Sequence, residues 1–247
     1  MIPKKIHYCW FSGKPLNKLG KKCIKSWVKF FPEYDIIEWN ESNFDVDSCK
    51  YVKEAYNEGK WAFVSDYARY KILYEEGGIY FDTDVEVIKS FDDIIERGAF
   101  MGCENPDVKT KLAVNPGLCC GAEARHPFFC EMLCEYENAS FYKADGSLDL
   151  RTIVERTTEH LCAHGLENTG DVQTVADVTV YPAEYFCPIN MNTGRLERTE
   201  NTHSIHRYAG SWVDPVTRFR GKVYFVIVKL FGENTAERMR RLFGRKP

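Results

Sequence analysis

The stretch from Gly77 to Glu86, GGIYFDTDVE, constrains the fold of this chain more than any other. Its two glycines end a helix-like segment, and a short apolar run then leads to two carboxylates one residue apart, Asp82 and Asp84. Alternate side chains of an extended chain point to the same face, so these carboxylates are predicted to project together at the end of a strand. Two adjacent carboxylates repel each other and need a cation to stay ionised together. Hard oxygen ligands suit Mg²⁺ or Mn²⁺, so the stretch predicts a metal–diphosphate site.

The elements predicted around this stretch alternate between strands and helices. A strand over residues 5–11, a helix over 19–30 and a strand over 34–39 form a β-α-β unit, which starts a parallel sheet. The hydrophobic pattern predicts further helices over residues 47–59, 60–74, 91–96, 126–136 and 150–160. Further strands are predicted over residues 79–81, 85–88, 99–104 and 178–182. This order indicates an α/β protein.

The composition excludes several classes of protein. Apolar residues make up 44% of the 247 residues and charged residues 28%, so the chain is globular rather than disordered. The ten cysteines form no Cys-x-x-Cys pair and match no common zinc spacing, so most are predicted to be buried apolar residues. The N-terminal residues form no signal peptide, and the longest apolar run, residues 223–228, is too short to span a bilayer. We therefore expect a cytoplasmic protein.

The charge of the chain is uneven. Nine lysines and arginines face two glutamates from Arg218 to the end, a local charge of +7 in a chain of net charge −3, which leaves −10 for the rest. Residues 222–247 therefore form a basic, amphipathic C-terminal tail. One interpretation is that this tail binds an anionic membrane, which would place the protein at the inner face of the cytoplasmic membrane. The other is a solvated helix packed on the domain.

Four further residues have both a functional and an ordinary interpretation. Trp10 follows the first strand, where ligands bind in open α/β sheets, and it fits a nucleobase-stacking or a packing aromatic equally well. Asp66 and Arg69 lie three residues apart on a predicted helix. This spacing fits an ordinary intrahelical ion pair, and it also fits a charged pair that faces a polar ligand. His206 is a candidate third metal ligand or a surface histidine.

Four motifs occur in order along the chain, and together they carry a family resemblance. They are residues 2–7 with Trp10, residues 62–69, residues 77–84 and residues 209–212. With these motifs the chain resembles glycosyltransferase family 32, the DXD sugar-binding region proteins, which include bacterial capsular-polysaccharide and lipopolysaccharide transferases and yeast Golgi mannosyltransferases. The resemblance covers about residues 1–90 and returns near 180–212. It implies a GT-A fold with a Rossmann-like, mostly parallel mixed sheet flanked by helices.

The resemblance also implies roles for individual residues. Asp84 resembles the direct metal ligand, with Asp82 and His206 beside it, and Asp82 resembles the residue that reaches the ribose and donor-sugar hydroxyls. Asp66 and Arg69 resemble the pair that grips the donor sugar. Positions that the resemblance places at the nucleotide or its diphosphate are Trp10, Tyr80, Asp82, Ser211 and Trp212. Asn115, in a loop, is a candidate for the acceptor face.

The expected function follows from these motifs. The resemblance implies a metal-dependent retaining glycosyltransferase that uses Mn²⁺ or Mg²⁺ and moves a sugar from a nucleotide-diphosphate sugar, with a UDP-sugar favoured. The expected acceptor is a glycan or lipid-linked glycan of surface polysaccharide synthesis, and no nucleic acid is expected as a partner. We expect one GT-A domain over residues 1–221, with a nucleotide-sugar-binding part over 1–90 and an acceptor-side and closing part over 91–221.

Two alternatives remain open at this point. A non-catalytic sugar- or nucleotide-binding module fits the same residue types. A phosphatase of the haloacid dehalogenase type also carries an Asp-x-Asp motif, but its signature requires Thr or Val two residues after the second Asp, where this chain has Glu86. The motif also lies far into the chain, whereas in those enzymes it follows the first strand. No catalytic nucleophile is assigned.

Overall fold

The computed structural model describes residues 1–11, 13–105, 111–190 and 194–210, with the single positions Val216, Arg220 and Val223. Within these residues the helices are α1 (Lys18–Phe30), α2 (Lys50–Asn57), α3 (Trp61–Glu76), α4 (Asp92–Ile95), α5 (Pro127–Glu137), α6 (Ile153–Ala163) and α7 (Ala183–Phe186). The strands are β1 (Lys5–Cys9), β2 (Asp35–Trp39), β3 (Gly78–Tyr80), β4 (Val85–Val87), β5 (Phe100–Gly102), β6 (Cys120–Ala122), β7 (Gln173–Val175), β8 (Val178–Tyr181) and β9 (Ser204–His206).

Seven of the strands form one mixed sheet in the order β2-β1-β3-β6-β5-β8-β7. The pairs β1–β2, β1–β3 and β5–β8 are parallel, whereas β6 is antiparallel to both of its neighbours and β7 is antiparallel to β8. Five of the seven strands therefore run in one direction. The mostly parallel mixed α/β sheet expected from the sequence is confirmed.

The sheet separates two apolar clusters, and the alternation of β3 shows how. Tyr80 belongs to the cluster that contains side chains of α2, α3, α5 and α6, whereas its neighbours Ile79 and Phe81 belong to the cluster with α1 and α7. Successive side chains of a strand point to opposite faces, so a strand covered on both sides is apolar throughout. Asp82 follows Phe81 just past the carboxyl end of β3.

The double glycine between α3 and β3 is required by a close turn. Gly77 and Gly78 have φ angles of 64° and 101°, which side-chain-bearing residues rarely adopt. A Cβ at Gly78 would lie 2.8 Å from the carbonyl oxygen of Lys5 in β1. His7 secures the turn, because its Nδ1 accepts from Trp39 and its Nε2 therefore donates to the carbonyl of Gly77 at 2.9 Å. The helix is thus followed at once by the strand that leads to Asp82.

A small second sheet continues the chain past the acidic motif. β4 pairs antiparallel with β9, so that Val85 lies opposite His206. The indole of Trp27, a buried residue of α1, donates to the carbonyl of Val85 at 2.8 Å and fixes this strand. The pairing brings a segment from late in the chain to the acidic motif.

Several sequence predictions differ from the structure in detail. β6, β7, β9 and α7 were not predicted, because each has only three or four residues and too few positions to show a period. All ten cysteines are free: six are buried, two are half-buried, and Cys134 and Cys162 are exposed. The prediction of buried apolar cysteines is therefore confirmed for most of them.

The C-terminal tail, residues 222–247, lies outside the described residues apart from Val223. The division into residues 1–221 and 222–247 stays a prediction for that reason. Among the described helices, none combines the length and the apolar character needed to cross a bilayer.

Candidate active site

The acidic motif lies in a turn that joins the two sheets. The backbone N–H of Val85 donates to the carbonyl of Asp82 at 3.0 Å, and the N–H of Asp82 donates to the carbonyl of Gly117 at 3.1 Å. The prediction that Asp82 and Asp84 alternate along one extended strand is therefore wrong, because β3 and β4 belong to different sheets and the chain must turn between them. The turn still brings both carboxylates to one place.

His206 completes this acidic group from β9. Its Nε2 lies 3.0 Å from Oδ1 of Asp84. The other carboxylate oxygen, Oδ2, accepts from the backbone N–H of Ala209 at 2.6 Å, and the backbone carbonyl of Asp84 accepts from the N–H of Arg207 at 2.9 Å. Three groups of one late segment thus hold Asp84 in a single orientation.

The electrostatics of this pair differ from those of ordinary side chains. Burial raises the pKa of Asp84, but the charge of His206 and its hydrogen bond lower it by more than burial raises it. The net pKa of Asp84 therefore lies below the usual value. Burial lowers the pKa of His206, but Asp84 outweighs it and the net pKa is raised. Both effects favour the charged pair.

The donor set of this group fits a divalent metal ion. Ligand atoms of Asp82, Asp84 and His206 all lie within 4.8 Å of one another. Their side chains are 31%, 14% and 9% exposed, so the group opens to solvent on the side of Asp82. Nδ1 of His206 is buried and has no hydrogen-bond partner among the described residues. Carboxylate and imidazole ligands suit Mn²⁺ and related ions.

Asp66 and Arg69 form the ion pair that the helical spacing predicts, with Nη2 of Arg69 2.9 Å from Oδ1 of Asp66. The same Nη2 lies 3.4 Å from Oδ1 of Asp82, so the pair also reaches the acidic motif. The guanidinium packs over the ring of Tyr80 at 4.7 Å, and its Nε donates to the carbonyl of Ser65. Its Nη1 is buried without a partner in the described part of the chain. Arg69 is thus fixed in place while its Nη1 nitrogen makes no hydrogen bond to the described residues.

The carboxylates around Arg69 have raised pKa values. Burial raises the pKa of Asp66 to about 7, although Arg69 opposes the shift. Burial also raises the pKa of Asp82, again opposed by Arg69, while the charge of Asp84 adds to the shift. Burial that disfavours the ionised form and a neighbouring cation that favours it are opposite influences on the same group. A strongly shifted carboxyl in a cleft is a feature of functional sites.

Tyr80 and Trp10 border the site in different ways. Tyr80 is 1% exposed, and its hydroxyl donates to Oδ1 of Asp82 at 3.2 Å, so the observed contact is to the motif. Its predicted role at the nucleotide stays a prediction. Trp10 directly follows β1 and is half-buried, with its indole N–H donating to the carbonyl of Lys14 at 2.6 Å. Its position at the carboxyl end of β1 agrees with the prediction, and both of its interpretations stay open.

The loop before β6 supplies a contact that the sequence prediction missed. A Cβ at Gly117 would lie 2.2 Å from Oδ2 of Asp82 and 3.0 Å from Nη1 of Arg69. Asn115 shapes this loop, because its Oδ1 accepts from the N–H of Gly117 at 2.7 Å and its Nδ2 donates to Glu104 at 2.8 Å. The Asn-Pro-Gly turn at residues 115–117 was the available signal. Asn115 holds Gly117 against the acidic motif, and its predicted place at the acceptor face stays a prediction.

The structure therefore brings Asp66, Arg69, Asp82, Asp84 and His206 together from α3, the β3–β4 turn and β9. Ser211 and Trp212, the predicted late pair, lie outside the described residues.

Residues 18–101 match the model of the family described as "Glycosyltransferase sugar-binding region containing DXD motif". An uncharacterized glycosyltransferase of Acanthamoeba polyphaga mimivirus is 25% identical over 77% of this chain and 75% of its own length. The inositol phosphoceramide mannosyltransferase 3 of Schizosaccharomyces pombe is 28% identical over 53% of this chain. The match spans only 36% of that yeast protein.

Solved structures give a looser likeness. The PaToxG glycosyltransferase has a TM-score of 0.46 at 19% identity and covers 54% of this chain and 59% of its own. The galactosyltransferase LgtC has a TM-score of 0.42 at 12% identity and covers 91% and 95%. The resemblance to glycosyltransferases therefore rests on the sequence matches.

The matched region contains Asp66, Arg69, Asp82 and Asp84, which the structure gathers at one site. Both sequence relatives are glycosyltransferases, which favours an enzyme over a sugar-binding module or a phosphatase. In sequence the chain therefore resembles DXD-containing glycosyltransferases of the family 32 type, and its fold is a mixed, mostly parallel α/β sheet flanked by helices.

Proposed function

We propose that this enzyme transfers a sugar from a nucleotide-diphosphate sugar, with UDP-sugars favoured, to a glycan or lipid-linked glycan acceptor in surface polysaccharide synthesis. The observation that supports it most is the convergence of Asp82, Asp84 and His206 beside the buried pair Asp66–Arg69. A metal-binding group adjacent to a fixed cation suits a substrate with both a diphosphate and a sugar.

We assign Asp82, Asp84 and His206 as the residues that hold the metal, with Mn²⁺ or Mg²⁺ as the proposed ion. When bound, a divalent ion supplies Lewis-acid stabilisation of the negative charge on the departing diphosphate. The protein's own contribution is to fix the ligands before the substrate arrives. Ala209 and Arg207 hold Asp84 through their backbone N–H groups, so its carboxylate needs no reorientation.

The sugar side of the site is assigned to Asp82 and Arg69. A Cβ at Gly117 would lie against both Oδ2 of Asp82 and Nη1 of Arg69, so these two atoms lie on the same side of the glycine. One atom accepts and the other donates, and a hydroxyl does both. Asp66 holds the guanidinium in this orientation from its other side. We therefore propose that Asp82 and Arg69 bind donor-sugar hydroxyls.

Carboxylates near the anomeric carbon also favour the positive charge that develops there as the sugar–phosphate bond breaks. Retention of the anomeric configuration is proposed from the family resemblance, and no described side chain is assigned as a nucleophile. Proton NMR of the newly formed glycoside tests this point: an inverted anomer in the product refutes retention.

A second donor class is favoured by one relative. The S. pombe relative carries the name inositol phosphoceramide mannosyltransferase, so that protein uses a mannosyl group and a lipid headgroup. GDP-mannose is therefore the alternative donor, and an inositol-containing lipid headgroup the alternative acceptor. Asp82, Asp84 and Arg69 contact the diphosphate and sugar in either case, so the choice of nucleotide depends on other contacts.

The test is a panel of nucleotide sugars, each incubated with Mn²⁺, Mg²⁺ or EDTA, with release of the nucleoside diphosphate as the readout. We expect metal-dependent hydrolysis of one UDP-sugar in the wild type. Asp84→Ala should lower it by a factor of about 1,000 or more, since one preorganised electrostatic group contributes about 100- to 1,000-fold and the metal site depends on this residue. The matched control is Asp92→Ala, which removes an exposed carboxylate from α4. Full hydrolysis in EDTA, or in a folded Asp84→Ala protein, refutes the proposed metal site.

We also propose a cytoplasmic location with peripheral attachment to an anionic membrane through residues 222–247. The support is the charge of +7 between Arg218 and the C-terminus. Basic segments gain about 1 kcal/mol for each lysine or arginine near an anionic surface.

A further inference from the structure

A second group of metal-ligating side chains lies on α5 and α6, which contribute no residue to the candidate active site. Oε2 of Glu131 in α5 lies 2.7 Å from Nε2 of His160 and 3.0 Å from Nε2 of His164. The three ligand atoms all lie within 4.8 Å of one another. Two helices that are separate in sequence therefore direct three ligand atoms to one point.

The backbone places the two imidazoles on one side of α6. His160 belongs to the last turn of the helix, and His164 is its C-cap, four residues later. Side chains four residues apart are neighbours on a helix surface. The ring of His160 also packs edge-on against Phe128, a buried residue of α5, at 5.6 Å between ring centroids. This contact limits the movement of His160 before any ligand binds.

The geometry suits a zinc-type ion with little rearrangement. Two imidazole nitrogens and one carboxylate oxygen are a common ligand set for Zn²⁺, with water in the fourth position. Bonds of about 2.0–2.2 Å in a tetrahedral site place ligand atoms about 3.3 Å apart, slightly farther apart than the observed 2.7 Å and 3.0 Å. The side chains of His164 and Glu131 are 38% and 45% exposed, so they have room to open by this amount.

The position at the end of α6 favours a cation for a second reason. The C-terminal end of a helix carries a partial negative charge from its unpaired carbonyl groups. Glu131 adds a full negative charge within hydrogen-bond distance of both imidazoles. A divalent ion at this point meets negative charge from both helices.

We propose that Glu131, His160 and His164 form a second divalent metal site, selective for a zinc-type transition-metal ion and separate from the active-site metal. Bound there, the ion links α5 to α6. Its structural effect extends toward the active site, because Thr158 of α6 accepts from the backbone N–H of Val114 at 2.9 Å. The next residue, Asn115, holds Gly117 against the acidic motif.

The test uses Zn²⁺ alone as the probe, on the EDTA-treated full chain carrying Asp84→Ala, so that the active-site group is disabled. Binding is measured by titration calorimetry and by the midpoint of thermal unfolding, Tm. A ligand at 100 times its dissociation constant raises the Tm of a domain of this size by about 5–10 °C. We expect this shift and a stoichiometry that falls by one ion per chain when His164→Ala or His160→Ala is added.

The matched control is Glu159→Gln, which removes one exposed carboxylate from the same helix without touching the three ligands. It should keep the full Tm shift. Because Cys134 and Cys162 are exposed, X-ray absorption of the zinc-loaded protein supplies an independent readout. Imidazole nitrogen and oxygen ligands support the site. Sulfur ligands, or histidine variants that bind as many zinc ions as their parent, refute it, and neither result bears on donor hydrolysis by the wild type.

Discussion

Gly117→Ala isolates the contact between the loop before β6 and the acidic motif. The new Cβ would lie 2.2 Å from Oδ2 of Asp82, whereas Cβ atoms essentially never approach another heavy atom closer than 3.0 Å. Either the carboxylate or the loop must therefore move by at least 0.8 Å. Gly117 does not have a positive φ, so an alanine is compatible with its backbone and the contact alone causes the strain.

The size of the effect follows from this displacement. Oδ1 of Asp82 now accepts from Tyr80 at 3.2 Å and faces Arg69 at 3.4 Å, and a shift of nearly 1 Å disturbs both contacts. A misplacement of about 1 Å in a reacting site can lower the rate by about 100-fold. Overpacking a well-packed site destabilises the fold by about 1–3 kcal/mol. We expect kcat/KM for donor hydrolysis to fall by about 10- to 100-fold in a protein that stays folded at 25 °C.

The assay is metal-dependent release of the nucleoside diphosphate, with urea denaturation measured in parallel. Gly20→Ala in α1 is the matched control, since the three atoms nearest its Cβ all belong to the side chain of Leu16. A double variant tests whether Gly117→Ala lowers activity by displacing the carboxylate of Asp82. Once Asp82→Ala removes that carboxylate, adding Gly117→Ala should lower activity little further. Activity within threefold of wild type in Gly117→Ala, or full additivity in the double variant, refutes the reasoning.

Three further predictions address the pair beside the motif, the nucleotide and the tail. Burial raises the pKa of Asp66 to about 7 in the folded state, above the unfolded value of about 3.9. Between these two pH values the folded state binds more protons than the unfolded state. The free energy of unfolding of the wild type therefore decreases by up to about 1.4 kcal/mol per pH unit as the pH rises. Asp66→Asn should lack this loss. The free energy of unfolding of both proteins is measured by urea denaturation at pH 5, 6, 7 and 8, and the same pH dependence in both would contradict the prediction. Trp10→Ala should raise the donor KM by about 5- to 150-fold with kcat nearly unchanged, since stacking on a base contributes about 1–3 kcal/mol; an unchanged KM indicates a packing role. Removing residues 233–247 should weaken pelleting with anionic vesicles while hydrolysis of free donor persists, and unchanged pelleting argues against membrane attachment.

Local sequence patterns predicted most of the longer elements. The apolar spacing located α1, α3 and α5 to within a few residues, because a helix of ten or more residues repeats its period several times. Gly77 and Gly78 marked the end of α3 correctly, since only glycine readily adopts both of their φ angles. The same patterns failed at β6 and β9, which are three residues long and are stabilised by pairing with distant strands.

The sequence by itself determined which residues are chemically suited to the site. Asp82 and Asp84 were recognisable as two carboxylates one residue apart, and Asp66 and Arg69 from their separation along one helix, because closeness in the chain is a local relation. Only the tertiary structure decided how they meet. The turn between two sheets orients the carboxylates, and pairing of β9 with β4 places His206 against Asp84. Gly117 entered the site through a contact between residues 35 positions apart, and such contacts depend on the path of the whole chain rather than on any local pattern.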